Sequence, residues 1–343
     1  MIVVSSPDFA THLTPPGHPE SPERGDVLDA IAQVAAGRGT AVVAPRTATR
    51  DELLRVHADA HVAAIEATRG SAVMIDADTY TSPNTADIAA LAAGAVLTAV
   101  EHVLGDSTSA RAAALVRPPG HHAESRRAMG FCFYNNVAAG AAHARTRGVE
   151  RVAIVDYDVH HGNGTQEIFE SDPRVLYVSA HQFPFYPGTG AAVETGKGDG
   201  RGFTVNLPLE AGATDGDYLV VFERAVLPVL NQFQPELLLV SAGFDAHEQD
   251  PLAQMRMTTE GFRRMTGMLR DAADRLCRGR LVLVTEGGYA LSALGASLDA
   301  ALQVLEGGQA ETMPTTPLRP ATGRADRALT AVRTAQGGRW HEL

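Results

Sequence analysis

Cysteine is nearly missing from this chain: Cys132 and Cys277 are the only two among 343 residues. That excludes a disulfide framework and a cysteine-built zinc knot, and it fits a reducing, cytoplasmic setting. Positive charge is scarce too. The 29 basic residues face 40 acidic ones, a formal net charge of -11, which argues against a broad nucleic-acid surface but not against a basic partner such as a lysine-rich peptide. No membrane partner is expected either. The alanine-rich run at residues 88–100 is bounded by Asp87 and Glu101, short of the roughly 20 apolar residues a span needs. It reads as a packed helix with a start signal in Pro83-Asn84-Thr85. The first residues, Met1 to Ser6, have no basic stretch and no long apolar one, so they read as a strand and not as a signal peptide.

What is present is a globular composition, 45% apolar and 20% charged, with a regular alternation of patterns. Short apolar runs at residues 2–4, 41–43, 113–116, 152–155, 175–178, 203–205, 237–240 and 281–284 give eight candidate strands. Several are continuously hydrophobic, as strands are when helices cover both faces of a parallel sheet. Helical patterns at 21–36, 136–147, 215–232 and 258–276 lie between them, so the class is α/β. No repeat or linker divides the chain. One catalytic domain over residues 1–306 is expected, followed by a peripheral tail, 307–343, with a short helical possibility at 325–333.

The chemistry-bearing residues follow the strands. Val116 leads into Arg117-Pro118-Pro119-Gly120-His121-His122, Val155 into Asp156-Tyr157-Asp158-Val159-His160, Val240 into Ser241-Ala242-Gly243-Phe244-Asp245, and Val284 into Thr285-Glu286-Gly287-Gly288-Tyr289. In open parallel sheets the carboxyl edge is where ligands bind. On an extended chain Asp158 and His160 point the same way. With Asp245 they offer an ion one imidazole nitrogen and two carboxylate oxygens and leave a position open, the arrangement of a catalytic metal rather than a structural one. Zinc is the first expectation; iron(II), manganese and cobalt suit the same donors.

His121 and His122 follow two prolines and a glycine, a stiff segment ending in a turn, and a neutral His there can serve as general base and acid. Two core histidines satisfied by backbone are the plainer alternative. Asp156 and Asn163 weigh against it, since imidazoles at a site need acceptors that fix their tautomers. Tyr289, after a diglycine, can aim its hydroxyl at an oxyanion, or can be an ordinary turn residue. Phe131, after Gly130, and Tyr186 can wall an apolar channel or belong to the core.

Pro118-Pro119-Gly120-His121-His122-Ala123, Gly130-Phe131-Cys132-Phe133-Tyr134-Asn135-Asn136, Asp156 to Thr165, Ser241-Ala242-Gly243-Phe244-Asp245 and Glu286-Gly287-Gly288-Tyr289 resemble, in order, the signature blocks of the histone deacetylase and acetylpolyamine amidohydrolase superfamily. The class II branch is most similar, because Asn stands at 163 where other branches carry Asp; such proteins occur in bacteria as well as eukaryotes. The resemblance implies an arginase-like α/β fold with an eight-stranded parallel sheet. It makes Asp158, His160 and Asp245 zinc ligands, His122 the general base and acid, His121 its electrostatic partner, and Tyr289 the donor that polarises the acyl carbonyl. Asp156 and Asn163 become the partners of the two histidines. Asp156, Asp158, His160, Ser179 and Ala180 match a potassium site, and Gly130, Phe131 and Tyr186 the acyl-lysine channel, with Tyr at 186 a departure from the commoner Phe.

Within that family the residues favour acyl-lysine in a protein or peptide over an acetylated polyamine. Leu252, in Asp250-Pro251-Leu252, matches a gatekeeper where a glutamate would pair with a polyamine cation, and Asp78, on the loop before Pro83, can hold a peptide backbone amide or be a plain solvated loop acid. A third reading, an inactive acyl-lysine reader, expects a lost ligand, histidine or tyrosine. None is lost.

Overall fold

The computed structural model describes residues 1–105, 110–307 and 317–343. Eight strands, β1 (Ile2–Val4), β2 (Ala41–Val43), β3 (Arg111–Ala114), β4 (Val152–Asp156), β5 (Val175–Gln182), β6 (Thr204–Leu209), β7 (Leu237–Ala242) and β8 (Leu281–Thr285), form one sheet. Its order is β2-β1-β3-β8-β7-β4-β5-β6, and every neighbouring pair is parallel. All the expected strands are therefore present; β3 begins and ends two residues early, and β5, β6 and β7 run on past their expected ends. β3 stops at Ala114 because Val116 gives its N–H to the Thr285 hydroxyl at 2.7 Å and its carbonyl accepts from that hydroxyl at 2.9 Å, outside the ladder. β6 runs on through Pro208, which has no N–H to give. An edge strand tolerates that.

Along β4, Ala153 and Val155 enter one core while Val152 and Ile154 enter the other, the period of two that sends successive side chains to opposite faces. Burying each such aliphatic side chain contributes about 1.5 to 3 kcal/mol, which is why both faces carry helices. Leu28, Tyr218, Leu269 and Leu298 close the first core from helices Pro22–Gly37, Asp215–Val221, Thr259–Leu276 and Leu291–Leu305. Val96, Leu97 and Val137 close the second from Thr85–Leu104 and Asn136–Thr146. Thr85–Leu104 is, among the described residues, the one helix long and apolar enough to cross a membrane, yet 67% of its apolar window is buried in the protein. Gly94 explains how closely it packs. A Cβ there would collide with the Arg46 carbonyl oxygen.

Two helical expectations change. The helix expected over 215–232 is interrupted at Phe222–Val226, where the Leu227 N–H reaches back to the Phe222 carbonyl in a wide π turn. Pro228, with no N–H for the regular ladder, accounts for it. The tail expected to be peripheral is not loose where it is described; its residues 308–316 lie outside the described ones. Helix Arg324–Gln336 buries Ala325, Ala328, Leu329 and Val332 in the first core, joined by Trp340. That spacing is the helical period of an apolar stripe. The buried Asp217 carboxylate accepts the N–H groups of Thr322 at 3.0 Å and Ala325 at 3.3 Å, tying the segment down.

Candidate metal centre and active site

β3, β8, β7, β4 and β5 are neighbours in the sheet, so the segments that leave their carboxyl ends meet at one edge. Asp158, His160 and Asp245 converge there, their ligand atoms all within 4.8 Å of one another. His160 Nδ1 lies 3.2 Å from Asp158 Oδ1 and 3.1 Å from Asp245 Oδ2. Backbone N–H groups hold the carboxylates: Gly287 donates to Asp158 Oδ2 at 2.7 Å, and Val159 to Asp245 Oδ1 at 2.9 Å. Glycine makes the room. A Cβ on Gly243 would collide with Asp158 Oδ2, and one on Gly287 with Asp245 Oδ2.

Asp158 is 1% and Asp245 0% exposed, and no lysine or arginine nitrogen pairs with either among the described residues. Burial and the Asp158 carboxylate push the Asp245 carboxyl up from its ordinary value. Burial also works against ionised Asp158, but His121 and His160 hold it below the usual carboxylate range. Burial opposes charge on His160 as well; hydrogen bonds and attraction from both carboxylates push it up to about 9. Two buried carboxylates sharing one imidazole are short of positive charge, and a divalent cation is the group such a donor set fits.

Beside the triangle the tandem histidines separate in character. His121 Nδ1 is 3.1 Å from Asp156 Oδ2, and His122 Nδ1 is 2.8 Å from Asn163 Oδ1. Burial opposes charge on His121, but Asp158 and Asp156 raise its pKa to about 10. Burial, then His121 and His160, drive His122 well below its ordinary value, so His122 is the neutral ring. A carboxylate partner makes one imidazole a cation; an amide partner leaves the other free to accept a proton.

His122, His160, Gly130, Phe131, Phe185, Tyr186, Leu252, Asp78 and Tyr289 line one cavity of about 220 Å³. Each residue expected to touch substrate is therefore in it. Phe131 stands at φ 69, a left-handed conformation that a bulky side chain rarely takes. Its N–H donates to the Thr79 hydroxyl at 3.1 Å. Its ring meets Tyr289 edge to face at 5.7 Å. Tyr186 meets His122 in the same way at 5.2 Å. Burial raises the Tyr289 hydroxyl well above its ordinary pKa, so it remains a donor.

Of the expected potassium residues, Asp158 and His160 belong to the triangle itself, and β4 pairs Asp156 directly with Ser179 of β5. Asp156 Oδ2 accepts from Tyr177 at 3.0 Å, and Ser179 Oγ lies 2.8 Å from His181 Nδ1.

Sequence reasoning gave no role to Phe185, whose ring stacks on His160 at 5.3 Å, nor to Arg24 and Glu20. Arg24 donates to the carbonyls of Gly288 at 2.8 Å and Glu286 at 2.6 Å, and lies 5.0 Å over the Tyr289 ring. Glu20 Oε1 accepts from both Arg24 at 2.8 Å and Arg117 at 2.7 Å. Glu286 stood in a quoted block without a role; it accepts the N–H groups of Gly120 at 2.7 Å and His121 at 3.1 Å and positions the histidine turn. A second group of metal-ligand type, Glu52, Glu101 and His143, is brought together elsewhere.

Residues 18–305 match the histone deacetylase domain. The chain is 42% identical over 316 residues to histone deacetylase 15 of Arabidopsis thaliana, an alignment covering 88% of this chain and 55% of that protein. To the polyamine deacetylase HDAC10 of Homo sapiens it is 39% identical over 340 residues, covering 94% and 50% respectively. It thus spans about half the length of these curated relatives. The crystal structure of the HDA15 HD domain aligns with a TM-score of 0.89 at 38% identity, over 99% of this chain and 95% of that one. The parallel sheet with helices on both faces is therefore the deacetylase-type α/β fold that the resemblance implied. Fold and ordered signature blocks agree over most of its length, and the chain belongs to the histone deacetylase family.

Proposed function

We propose that this protein is a zinc-dependent amidohydrolase that removes an acetyl or other acyl group from a lysine side chain. One observation carries the reading: the buried Asp158, His160 and Asp245 triangle, whose carboxylates pair with no lysine or arginine among the described residues, shares His160 with the apolar cavity that His160, His122 and Tyr289 line together. Family membership supports amide hydrolysis in general; the donor set supports zinc. Asp158, His160 and Asp245 would hold the ion, which supplies Lewis-acid polarisation of the acyl carbonyl and a water of lowered pKa.

The chain's own groups do the rest. His122, neutral and aimed by Asn163, takes a proton from the attacking water and later delivers it to the departing amine. His121, held as a cation by Asp156, supplies positive charge beside it. Tyr289 donates its hydroxyl hydrogen to the acyl oxygen as negative charge gathers there. Phe131, Phe185, Tyr186 and Leu252 cover the methylenes of lysine and exclude water, with Gly130 keeping the wall thin. In this reading Asp156, Asp158, His160, Ser179 and Ala180 hold potassium, supported by the pairing of Asp156 with Ser179. The setting is cytoplasmic, in keeping with two unpaired, buried cysteines.

An acetylated polyamine is the second reading. It is favoured by Asp78, which lines the same cavity and whose carboxylate, among the described residues, has a side-chain partner only in its neighbour Thr79, at 2.9 Å. Turnover of acetyl-lysine peptides, longer acyl-lysines, acetylputrescine and acetylspermidine, compared side by side, tests the choice. A peptide preference is expected; far faster turnover of the polyamines would reverse it.

A further inference from the structure

We propose that Asp250 is a positioning residue for Tyr289, clipping the turn that carries this tyrosine to the turn that carries Leu252. This rests on the reaction proposed above. Asp250 is 7% exposed, and both of its carboxylate oxygens are engaged by backbone. Oδ2 accepts the N–H of Tyr289 at 2.7 Å and that of Ala290 at 3.2 Å. Oδ1 accepts the N–H of Leu252 at 3.0 Å. One side chain thus holds three amides from two turns, whose Leu252 and Tyr289 line the same cavity. Such bonds to an ionised acceptor are roughly twice as strong as neutral ones.

Tyr289 needs this anchor. The residue before it, Gly288, sits at φ 126, where only glycine is at ease, so the turn itself imposes little direction on the next side chain. The phenol oxygen accepts and donates no hydrogen bond to the protein among the described residues, which leaves its aim to the backbone. On one side Arg24 holds the Gly288 carbonyl at 2.8 Å; on the other Asp250 holds the Tyr289 amide. The carboxylate also stands just ahead of helix Leu291–Leu305, whose N-terminal end favours negative charge. Leu252 and the oxyanion donor, which line one cavity, therefore answer to the same group.

The test is a double-mutant cycle on the full-length, metal-loaded protein with an acetyl-lysine peptide. Asp250→Asn keeps the size but gives up one acceptor oxygen. Its kcat should fall by between about tenfold and the roughly hundredfold that loss of an oxyanion donor costs, with KM changed less than about twofold and metal content as in wild type. In the Tyr289→Phe background the same change should cost less than about twofold, because the hydroxyl it aims is already gone. Asp250→Ser, which keeps one acceptor for the Leu252 amide and loses the other, should behave alike and serves if the Asn variant does not fold. Equal loss in both backgrounds, a raised KM at unchanged kcat, or full activity in the variants overturns the proposal. Wild type inactive on every acyl substrate would instead overturn the functional reading beneath it.

Discussion

Two clusters in this molecule have the same composition, two carboxylates and one imidazole within ligand reach of each other. In Glu52, Glu101 and His143 the protein supplies its own cation. Arg46 gives Nη2 to Glu52 at 2.7 Å and to Glu101 at 2.8 Å, and its Nη1 to the other Glu52 oxygen at 2.8 Å. Arg55 stands 3.0 Å from His143 Nδ1. Glu52 is drawn down to about 2 by the Arg46 hydrogen bonds. In Asp158, His160 and Asp245 the carboxylates meet backbone amides and imidazoles but no guanidinium or ammonium, and glycines keep space around them. The candidate metal centre is thus marked by the fixed cation, arginine or lysine, that the protein withholds from it. Glu20, shared by Arg24 and Arg117, belongs with the first kind.

The largest effect is expected where no arginine or lysine stands in. Asp158→Ala removes a ligand and should abolish deacylation, since metal affinity depends on the full donor set; an assay at saturating zinc checks it, and near-normal turnover would erase the distinction between the clusters. Next comes Glu20→Gln. Losing this carboxylate leaves Arg24 and Arg117 buried and unpaired, at a cost of about 3 to 5 kcal/mol in denaturant unfolding. Burial works against charge on Glu20, but Arg117, His12 and Arg24 hold its pKa well below the usual carboxylate range. A depressed carboxylate stabilises fully above its unfolded value and loses that contribution as pH falls toward the folded one. The gap between wild type and Glu20→Gln should therefore narrow as pH drops below about 4.5.

His122→Ala should lose roughly two or more orders of magnitude in kcat with zinc retained, because proton transfer goes and coordination stays. A smaller effect belongs to the mouth. Leu252→Glu places a carboxylate where a distal ammonium would lie and should shift the ratio of kcat/KM for acetylspermidine over acetyl-lysine peptide by about tenfold toward the polyamine. The smallest effect sharpens the contrast directly. Arg46→Ala should cost about 1 kcal/mol of stability and leave turnover unchanged, while the vacated Glu52, Glu101 and His143 take up a second, weakly held zinc detectable by calorimetry.

Much of this was legible in the sequence, and the parts that were not have physical reasons. Strands buried on both faces are written as continuous apolar runs, so all eight were found. Asp158 and His160 could be paired from strand geometry alone, and Asp245 joined them because its strand ends at the same edge. Asp250, Arg24 and Glu20 were not readable as site residues: Asp250 and Arg24 hold backbone groups far along the chain, at Tyr289 and Gly288, and Glu20 meets the side chain of the distant Arg117. The tail misled for a different reason. Its Gly, Pro and Thr content is that of a loop, and the four buried positions of its helix register only when read at helical spacing.

The central claim is that the triangle without an arginine or lysine partner, and no other cluster among the described residues, holds the catalytic metal. Elemental analysis of the purified protein and of Asp245→Ala, each with deacylation measured on the same sample, tests it most directly. About one zinc per chain in the wild type, lost together with activity in Asp245→Ala, is the predicted result. Full metal content with retained activity in Asp245→Ala would contradict it.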